Sequence, residues 1–253
     1  MALEFREISV SYGEHRKVIK NFSWKVEKGE FWSVIGPNGA GKTTILRTLL
    51  KRTFILSGNV RVDGRDIREL NIKEIARKLA ILLQTDFAEK SMTVREYVSL
   101  GRHIYLKPLE PLRKEDLSIV EEALSKTKTL YLRDRRIGEL SSGELQRVRI
   151  ARVIAQGTDY ILLDEPTSHL DYEHRFEIME LLSQLNREGK TIIAILHEFD
   201  LAYRYGQKIL VVSDGQIVKA GDTKEIFSPS LFAKVFHVNL VLQDGRLYIE
   251  PLL

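Results

Sequence analysis

Residues 36–44 read Gly36-Pro37-Asn38-Gly39-Ala40-Gly41-Lys42-Thr43-Thr44. Glycines at this spacing let successive backbone N–H groups turn inward around phosphate oxygens, and a helix start behind them adds partial positive charge. Lys42 is suited to reach the β- and γ-phosphates, and the Thr43 hydroxyl to hold Mg2+. The setting fits, because the apolar Phe31–Ile35 run precedes the loop and Ile45, Leu46, Leu49 and Leu50 follow at helical spacing. The pattern implies binding of a nucleoside triphosphate. A second group is Tyr160-Ile161-Leu162-Leu163-Asp164-Glu165-Pro166, an apolar strand ending in two acids. Strand C-termini form the ligand edge of a parallel sheet. Asp164 suits Mg2+ there, and Glu165 suits a water attacking the γ-phosphate. A third group is Leu140-Ser141-Ser142-Gly143-Glu144, ahead of Leu145, Val148, Ala151 and Ala155. Ser141 and Glu144 form a capping box, and the same helix start offers a hydroxyl and a glycine amide to an anion.

These groups need strands that stop, and helices that begin, at one edge. Leu79–Leu83, Tyr160–Leu163 and Thr191–Leu196 are apolar almost throughout, as strands buried on both faces of a parallel sheet are. Phe176, Met179, Leu182 and Leu185 predict a helix between the last two, stopped by Gly189, which completes a β-α-β unit. Leu3–Val10, Asn21–Val26 and Asn59–Gly64 alternate wholly or in part, which predicts a half-exposed antiparallel sheet beside the phosphate-loop strand. Residues 86–157 hold no convincing strand. Thr93-Val94-Arg95-Glu96 opens one helix there, and Leu117, Val120 and Leu124 mark another. Asp214-Gly215 and Asp244-Gly245 each read as a hairpin turn.

Composition narrows the class. At 253 residues the chain is long enough for one large α/β domain with an insertion. No stretch reaches the roughly 18 apolar residues of a membrane span, and Met1–Arg6 lacks the layout of a secretion signal. With no cysteine there is no disulfide framework and no thiolate metal site. The net charge of +4 permits anionic partners without requiring them. The basic run Arg133, Arg135, Arg136, Arg147, Arg149 and Arg152 has only Tyr131 nearby and reads as a solvated face; no nucleic-acid partner is expected.

With phosphate loop, signature and acid-ended strand in this order, the chain resembles the ATP-binding-cassette (ABC) ATPases over nearly its whole length. The resemblance implies an α/β fold: a P-loop NTPase (RecA-like) core with a mixed sheet, an antiparallel β subdomain and an inserted α-helical subdomain. The core would comprise 1–85 and 158–253, and the helical signature subdomain 86–157. Gln84 looks like the family's Q-loop glutamine, placed to touch the metal with Thr43 and Asp164. Ser168-His169-Leu170-Asp171 looks like its D-loop, His197 like its switch histidine, and Tyr12 like the aromatic that stacks on adenine. ATP and Mg2+ are the implied ligands, with Lys42, Gln84, Glu165 and His197 as the catalytic set. Two cassettes would close head to tail on two ATP molecules, the phosphate loop of one facing Ser141, Gly143 and the signature helix of the other; Ser142, Glu144 and Asp171 are further implied nucleotide-binding positions. Ser142 stands where the family's commonest signature has glycine; it keeps the amide but adds a side chain. Glu144 stands for the commoner glutamine and still serves the cap.

Membrane spans, a second cassette and a long coiled coil are all missing from the sequence, which points to a separate importer cassette, a homodimer beneath a polytopic permease. Met92–Arg102, Thr167–Asp171 and Leu231–Val238 are similar to the importers of iron–siderophore, haem and cobalamin. The expected station is the cytoplasmic face of the cell membrane. The permease is expected to dock near Ser91–Arg102, with Arg95 and Arg102 in the contact, and an extracytoplasmic substrate-binding protein would be reached only indirectly. A zinc or manganese importer, or a soluble ABC ATPase acting on a protein or nucleic acid, is the alternative.

Overall fold

The apolar runs at 79–83, 160–163 and 191–196 pair in parallel, as strands without alternation must when both faces are covered. The computed structural model describes residues 2–13, 17–84, 88–243 and 246–251. In chain order it begins with β1 (Ala2–Ser11), β2 (Lys17–Glu27), β3 (Phe31–Ile35), α1 (Lys42–Leu49) and β4 (Phe54–Val62). Next come β5 (Arg65–Asp66), α2 (Ile72–Ala76) and β6 (Leu79–Leu82). A helical block holds α3 (Val94–Ser99), α4 (Lys114–Lys126) and α5 (Ser142–Ala155), linked through 3-10 turns that include Leu100–Tyr105. The chain then runs through β7 (Tyr160–Asp164), α6 (Tyr172–Arg187), β8 (Thr191–Ile195), α7 (Phe199–Tyr205), β9 (Lys208–Ser213) and β10 (Gln216–Asp222). It continues with α8 (Thr223–Ile226), α9 (Pro229–Phe236) and the hairpin β11 (Val238–Gln243) and β12 (Arg246–Pro251). The expected boundary at 85/86 and the Asp244-Gly245 turn lie outside the described residues.

Two sheets share one core. The six-stranded sheet has the order β10-β9-β3-β8-β7-β6, with only β10 antiparallel to its neighbour. Its side chains alternate between two apolar clusters. Tyr160, Leu162, Ile193 and Ile195 face the cluster shared with the antiparallel sheet β2-β1-β4-β5. Ile161, Leu163, Ile192 and Ala194 face the cluster covered by α6 and α7. The antiparallel sheet is less open than expected. In β1, Leu3, Phe5, Ile8 and Val10 all enter the core, because the register shifts between Phe5 and Ile8 and Glu7 takes a positive φ of 47°. That bulge moves the buried set from odd to even positions, which is why alternation shows only in part.

Between residues 88 and 157 the described chain forms no strand beyond an isolated bridge from Thr93 to Arg136. Its helices carry their own apolar cluster, with Val94, Val98, Val120, Leu124, Val148 and Ala151. Arg102 corrects an expectation. Its side chain is turned inward; it is 11% exposed, and its Nε donates to Asp116 Oδ1 at 2.9 Å and its Nη1 to the Ala155 carbonyl at 3.0 Å. Tyr105 stacks on its guanidinium and donates to the Gln156 carbonyl, and the Gln156 amide donates to Ala76 and Leu79 at the foot of β6. The basic run is also only partly a solvated face: Arg133 and Arg135 are exposed, but Arg147 is 13% exposed and bonded to Glu177.

Burial pushes the Asp116 carboxyl up, but hydrogen bonds from Arg102 and the Arg113 N–H outweigh it and hold the pKa below the ordinary aspartate value. A lowered carboxylate stabilises the fold above its unfolded pKa, and that contribution is lost as pH falls through the folded value. Asp116→Ala leaves Arg102 buried without its partner, so denaturant unfolding at pH 7 should show a loss of about 3–5 kcal/mol. The deficit should shrink in acid, where the parent carboxylate is protonated too.

Candidate functional site

The strand order β3-β8-β7-β6 lays four strand ends side by side, and each carries a polar group. β3 leads into the phosphate loop, β8 to His197, β7 to Asp164 and Glu165, and β6 to Gln84. Together they line a cavity of about 960 Å³ that also takes in Tyr12, Lys17, Lys20, Arg47 and Asp214.

The loop is shaped by close approach. A Cβ on Gly36 would lie 2.0 Å from the Val212 carbonyl oxygen in β9, so no other residue fits there. Gly41 precedes α1 at φ 99°, a left-handed conformation that favours glycine. Lys42 folds back into the loop, its Nζ donating to the carbonyls of Gly36 at 2.7 Å and Pro37 at 3.0 Å. Burial lowers the Lys42 pKa, and the nearby Glu165 and Asp164 carboxylates oppose that shift. The ammonium is thus held among the backbone groups that would surround a phosphate.

Thr43 and Asp164 meet beside the loop. The Thr43 hydroxyl donates to Asp164 Oδ1 at 3.1 Å, and Asp164 is 3% exposed. Burial raises the Asp164 pKa; the Thr43 hydrogen bond opposes this and the Glu165 charge adds to it. A buried, undercompensated carboxylate beside a hydroxyl suits a hard cation such as Mg2+. Thr43 and Asp164 would hold it, with Gln84 within reach of the same carboxylates.

Glu165 is gripped from both sides. Gln84 Nε2 donates to Oε2 at 2.9 Å, and His197 Nε2 lies 2.6 Å from Oε1. The carboxylate accepts, so the proton of that bond sits on Nε2. Glu165 also takes φ 52°, sparsely populated for a side-chain-bearing residue, with its N–H tied to the Ile195 carbonyl at 3.1 Å. Such a carboxylate can orient or deprotonate a water.

At the far end, Tyr12 is 45% exposed, its hydroxyl 3.2 Å from Thr44 Oγ1. Arg47 donates to that hydroxyl at 3.4 Å. The structure therefore gathers Tyr12, Gly36 to Thr44, Gln84, Asp164, Glu165 and His197 at one edge. Ser141, Ser142, Gly143, Glu144 and Asp171 are not part of this cavity. The capping box is present, Ser141 Oγ accepting from the Glu144 N–H while the Glu144 carboxylate accepts from Ser141 N–H. Asp171 caps α6.

Sequence reasoning missed the residues that brace this edge. Gln146 Nε2 donates to the Pro166 carbonyl at 2.9 Å, and Arg149 Nη2 donates to the Gln84 carbonyl at 3.4 Å. Both lie on α5, so the helix that begins with the signature touches both sides of Glu165. Their position directly after the signature was the only available signal.

The ABC transporter family model matches residues 19–168, more than half of the chain, from within β2 through the acid pair. The chain belongs to the ABC transporter family. The cassette is 39% identical over 252 residues to the probable siderophore transport system ATP-binding protein YusV of Bacillus subtilis, covering 99% of this chain and 91% of that one. It is 37% identical to the ferric enterobactin transport ATP-binding protein FepC of Escherichia coli, covering 99% and 92%. The dimeric structure of the bacterial ABC transporter cassette MJ0796 superposes with a TM-score of 0.77 at 26% identity, covering 87% of this chain and 98% of that one. The fold is that of an ABC ATPase, and the cassette binds and hydrolyses ATP.

Two measurements follow from this geometry. Tyr12→Ala should weaken ATP binding by about 1–2 kcal/mol, the scale of stacking a base on an aromatic ring; titration calorimetry reads it, and unchanged affinity removes Tyr12 from the site. Asp164→Asn should raise the melting temperature of the nucleotide-free cassette at neutral pH. A raised carboxyl pKa costs stability as pH climbs from its unfolded value of about 3.9 to its folded value, and the cost is complete above the latter. The gain should therefore fade on acidification to about pH 4, while ATP turnover is lost at every pH.

Proposed function

We propose that the cassette energises import of a metal chelate, an iron–siderophore, haem or cobalamin, through a separate polytopic permease at the cytoplasmic face of the membrane. The carrying observation is likeness along the whole chain, and not over the nucleotide motifs alone, to cassettes named for siderophore and ferric enterobactin transport. A substrate-binding protein outside the membrane would deliver the chelate to the permease.

Two copies close head to tail. In each site Tyr12, the Gly36 to Thr44 loop and Lys42 hold the nucleotide from one chain. Ser141, Ser142, Gly143, Glu144 and Asp171 meet it from the other. Two features support this arrangement: the signature and Asp171 stand outside the cavity of their own chain, and the related cassette MJ0796 is dimeric. Thr43, Asp164 and Gln84 would hold Mg2+, which would neutralise phosphate charge. Glu165 takes the proton of the attacking water, with His197 and Gln84 fixing its orientation.

Residues 86–157 would carry the signature as a subdomain and dock the permease. A groove of about 470 Å³ on this block supports that reading. Met92, Leu100, Leu112 and Leu117 give it apolar walls, and Arg95, Glu96 and His103 stand among them. Arg95 remains a docking residue here, whereas Arg102 serves the interior.

The test uses Glu165→Gln as bait. Removing the general base should lower turnover by about 10²–10⁴-fold while ATP still binds, so dimers and the permease complex should accumulate on membranes. Co-purification of a polytopic protein, and ATP turnover that rises on adding an iron-chelate-loaded binding protein to the reconstituted parent complex, are the expected results. Recovery of ribosomes or DNA instead, or stimulation by zinc or manganese alone, would overturn the assignment; normal turnover by Glu165→Gln would overturn the role of Glu165.

A further inference from the structure

The signature and the D-loop belong to different parts of the chain, yet one side chain joins them. His174 stands in the first turn of α6. Its backbone N–H donates to Asp171 Oδ1 at 3.0 Å, and its ring Nδ1 lies 2.6 Å from the same oxygen. The carboxylate can only accept, so Nδ1 carries the proton. Helix capping alone would need only the backbone bond; the ring bond additionally fixes the imidazole plane.

That ring then lies against Gly143. A Cβ built on Gly143 would meet the His174 ring atoms Cδ2 at 3.3 Å and Cγ and Nε2 at 3.5 Å. A side chain there would press into the ring, so the small residue, itself buried, serves the approach of the imidazole. One turn further along both helices the contact repeats in ionic form: Arg147 Nη1 donates to Glu177 Oε2 at 3.2 Å. The pairs 143/174 and 147/177 are spaced by four residues on α5 and three on α6, the spacing at which neighbouring turns share a face. The starts of α5 and α6 are thereby keyed together.

We propose that His174 is a positioning residue for the composite nucleotide site, a proposal that rests on the head-to-tail reading above. It lies outside the nucleotide cavity of its own chain. It holds the Ser141 hydroxyl, the Gly143 amide and the Asp171 carboxylate at fixed spacing, so that the other chain's ATP meets them as one rigid set. Because the key spans the helical block and the core, the signature cannot shift without carrying the D-loop with it.

The test separates the two copies. A transporter is assembled with its permease from two differently tagged cassettes, one carrying Lys42→Ala, which leaves a single active phosphate loop. His174→Ala placed in the Lys42→Ala copy faces the active loop; placed in the other copy, it faces the disabled one. Turnover should fall about tenfold in the first arrangement, the scale of one charge-assisted hydrogen bond. It should stay within about twofold of the parent in the second. ATP affinity of the isolated cassette should be unchanged in both. His174→Asn, which can still donate to Asp171, should recover most of the loss and serves as the test variant if His174→Ala does not assemble. No loss in either arrangement overturns the role of His174 and leaves head-to-tail closure standing. Equal loss in both reduces His174 to a folding contact. Loss only in the second arrangement overturns head-to-tail closure itself.

Discussion

The carboxylate of Glu165 is bonded on both oxygens, by Gln84 at 2.9 Å and His197 at 2.6 Å, and that grip depends on strand order. The three residues are far apart in the chain, but β8, β7 and β6 are consecutive in the sheet. Neighbouring parallel strands lie about 4.8 Å apart, so groups at their C-terminal ends fall within side-chain reach of one another. β3 on the other side of β8 delivers the phosphate loop to the same edge. An apolar sheet buried on both faces makes this arrangement rigid: strand slippage would drive Leu162 or Ile193 from one packed cluster towards the other.

The grip also links the site to the helical block. Gln84 is held at its carbonyl by Arg149, and the segment after Glu165 by Gln146, both on the helix that starts at the signature. A displacement of that helix bears on the carboxylate from two sides. In the head-to-tail arrangement the nucleotide at one site would touch the helix that braces Glu165 of the other site. Arg102, Asp116 and Gln156 provide a second mechanical path, from beside the groove lined by Met92 and Leu117 to the foot of β6, the strand that ends near Gln84.

Much of this was legible in sequence where chemistry and position coincide. The phosphate loop, the acid-ended β7 and the Ser141/Glu144 box announce themselves, because few residue types can perform those roles. The parallel strands were legible because a strand buried on both faces loses its alternation. Legibility failed where burial depends on a distant partner. Arg102 reads as a surface charge until Asp116 is found fourteen positions away on another helix, and Arg147 until Glu177 is. The β1 bulge blurred its alternation, and β4 began earlier than read because Phe54 and Leu56 are exposed. The one-turn helix α2 went unread, although Asn71 and Glu74 cap it reciprocally. His174 carried no signal, since its importance lies in touching a glycine thirty-one positions earlier.

In the head-to-tail arrangement the phosphate loop of one chain meets the signature of another. The chain contains no cysteine, so single cysteines can be introduced without background. Asn38 and Ser142 are both exposed. Differently tagged chains carrying Asn38→Cys or Ser142→Cys, also bearing Glu165→Gln, are mixed and treated with a short thiol cross-linker. Cross-linked heterodimers should form with Mg-ATP, and few should form without it. Absence of the cross-link at saturating ATP, with dimers confirmed by light scattering, would contradict that arrangement.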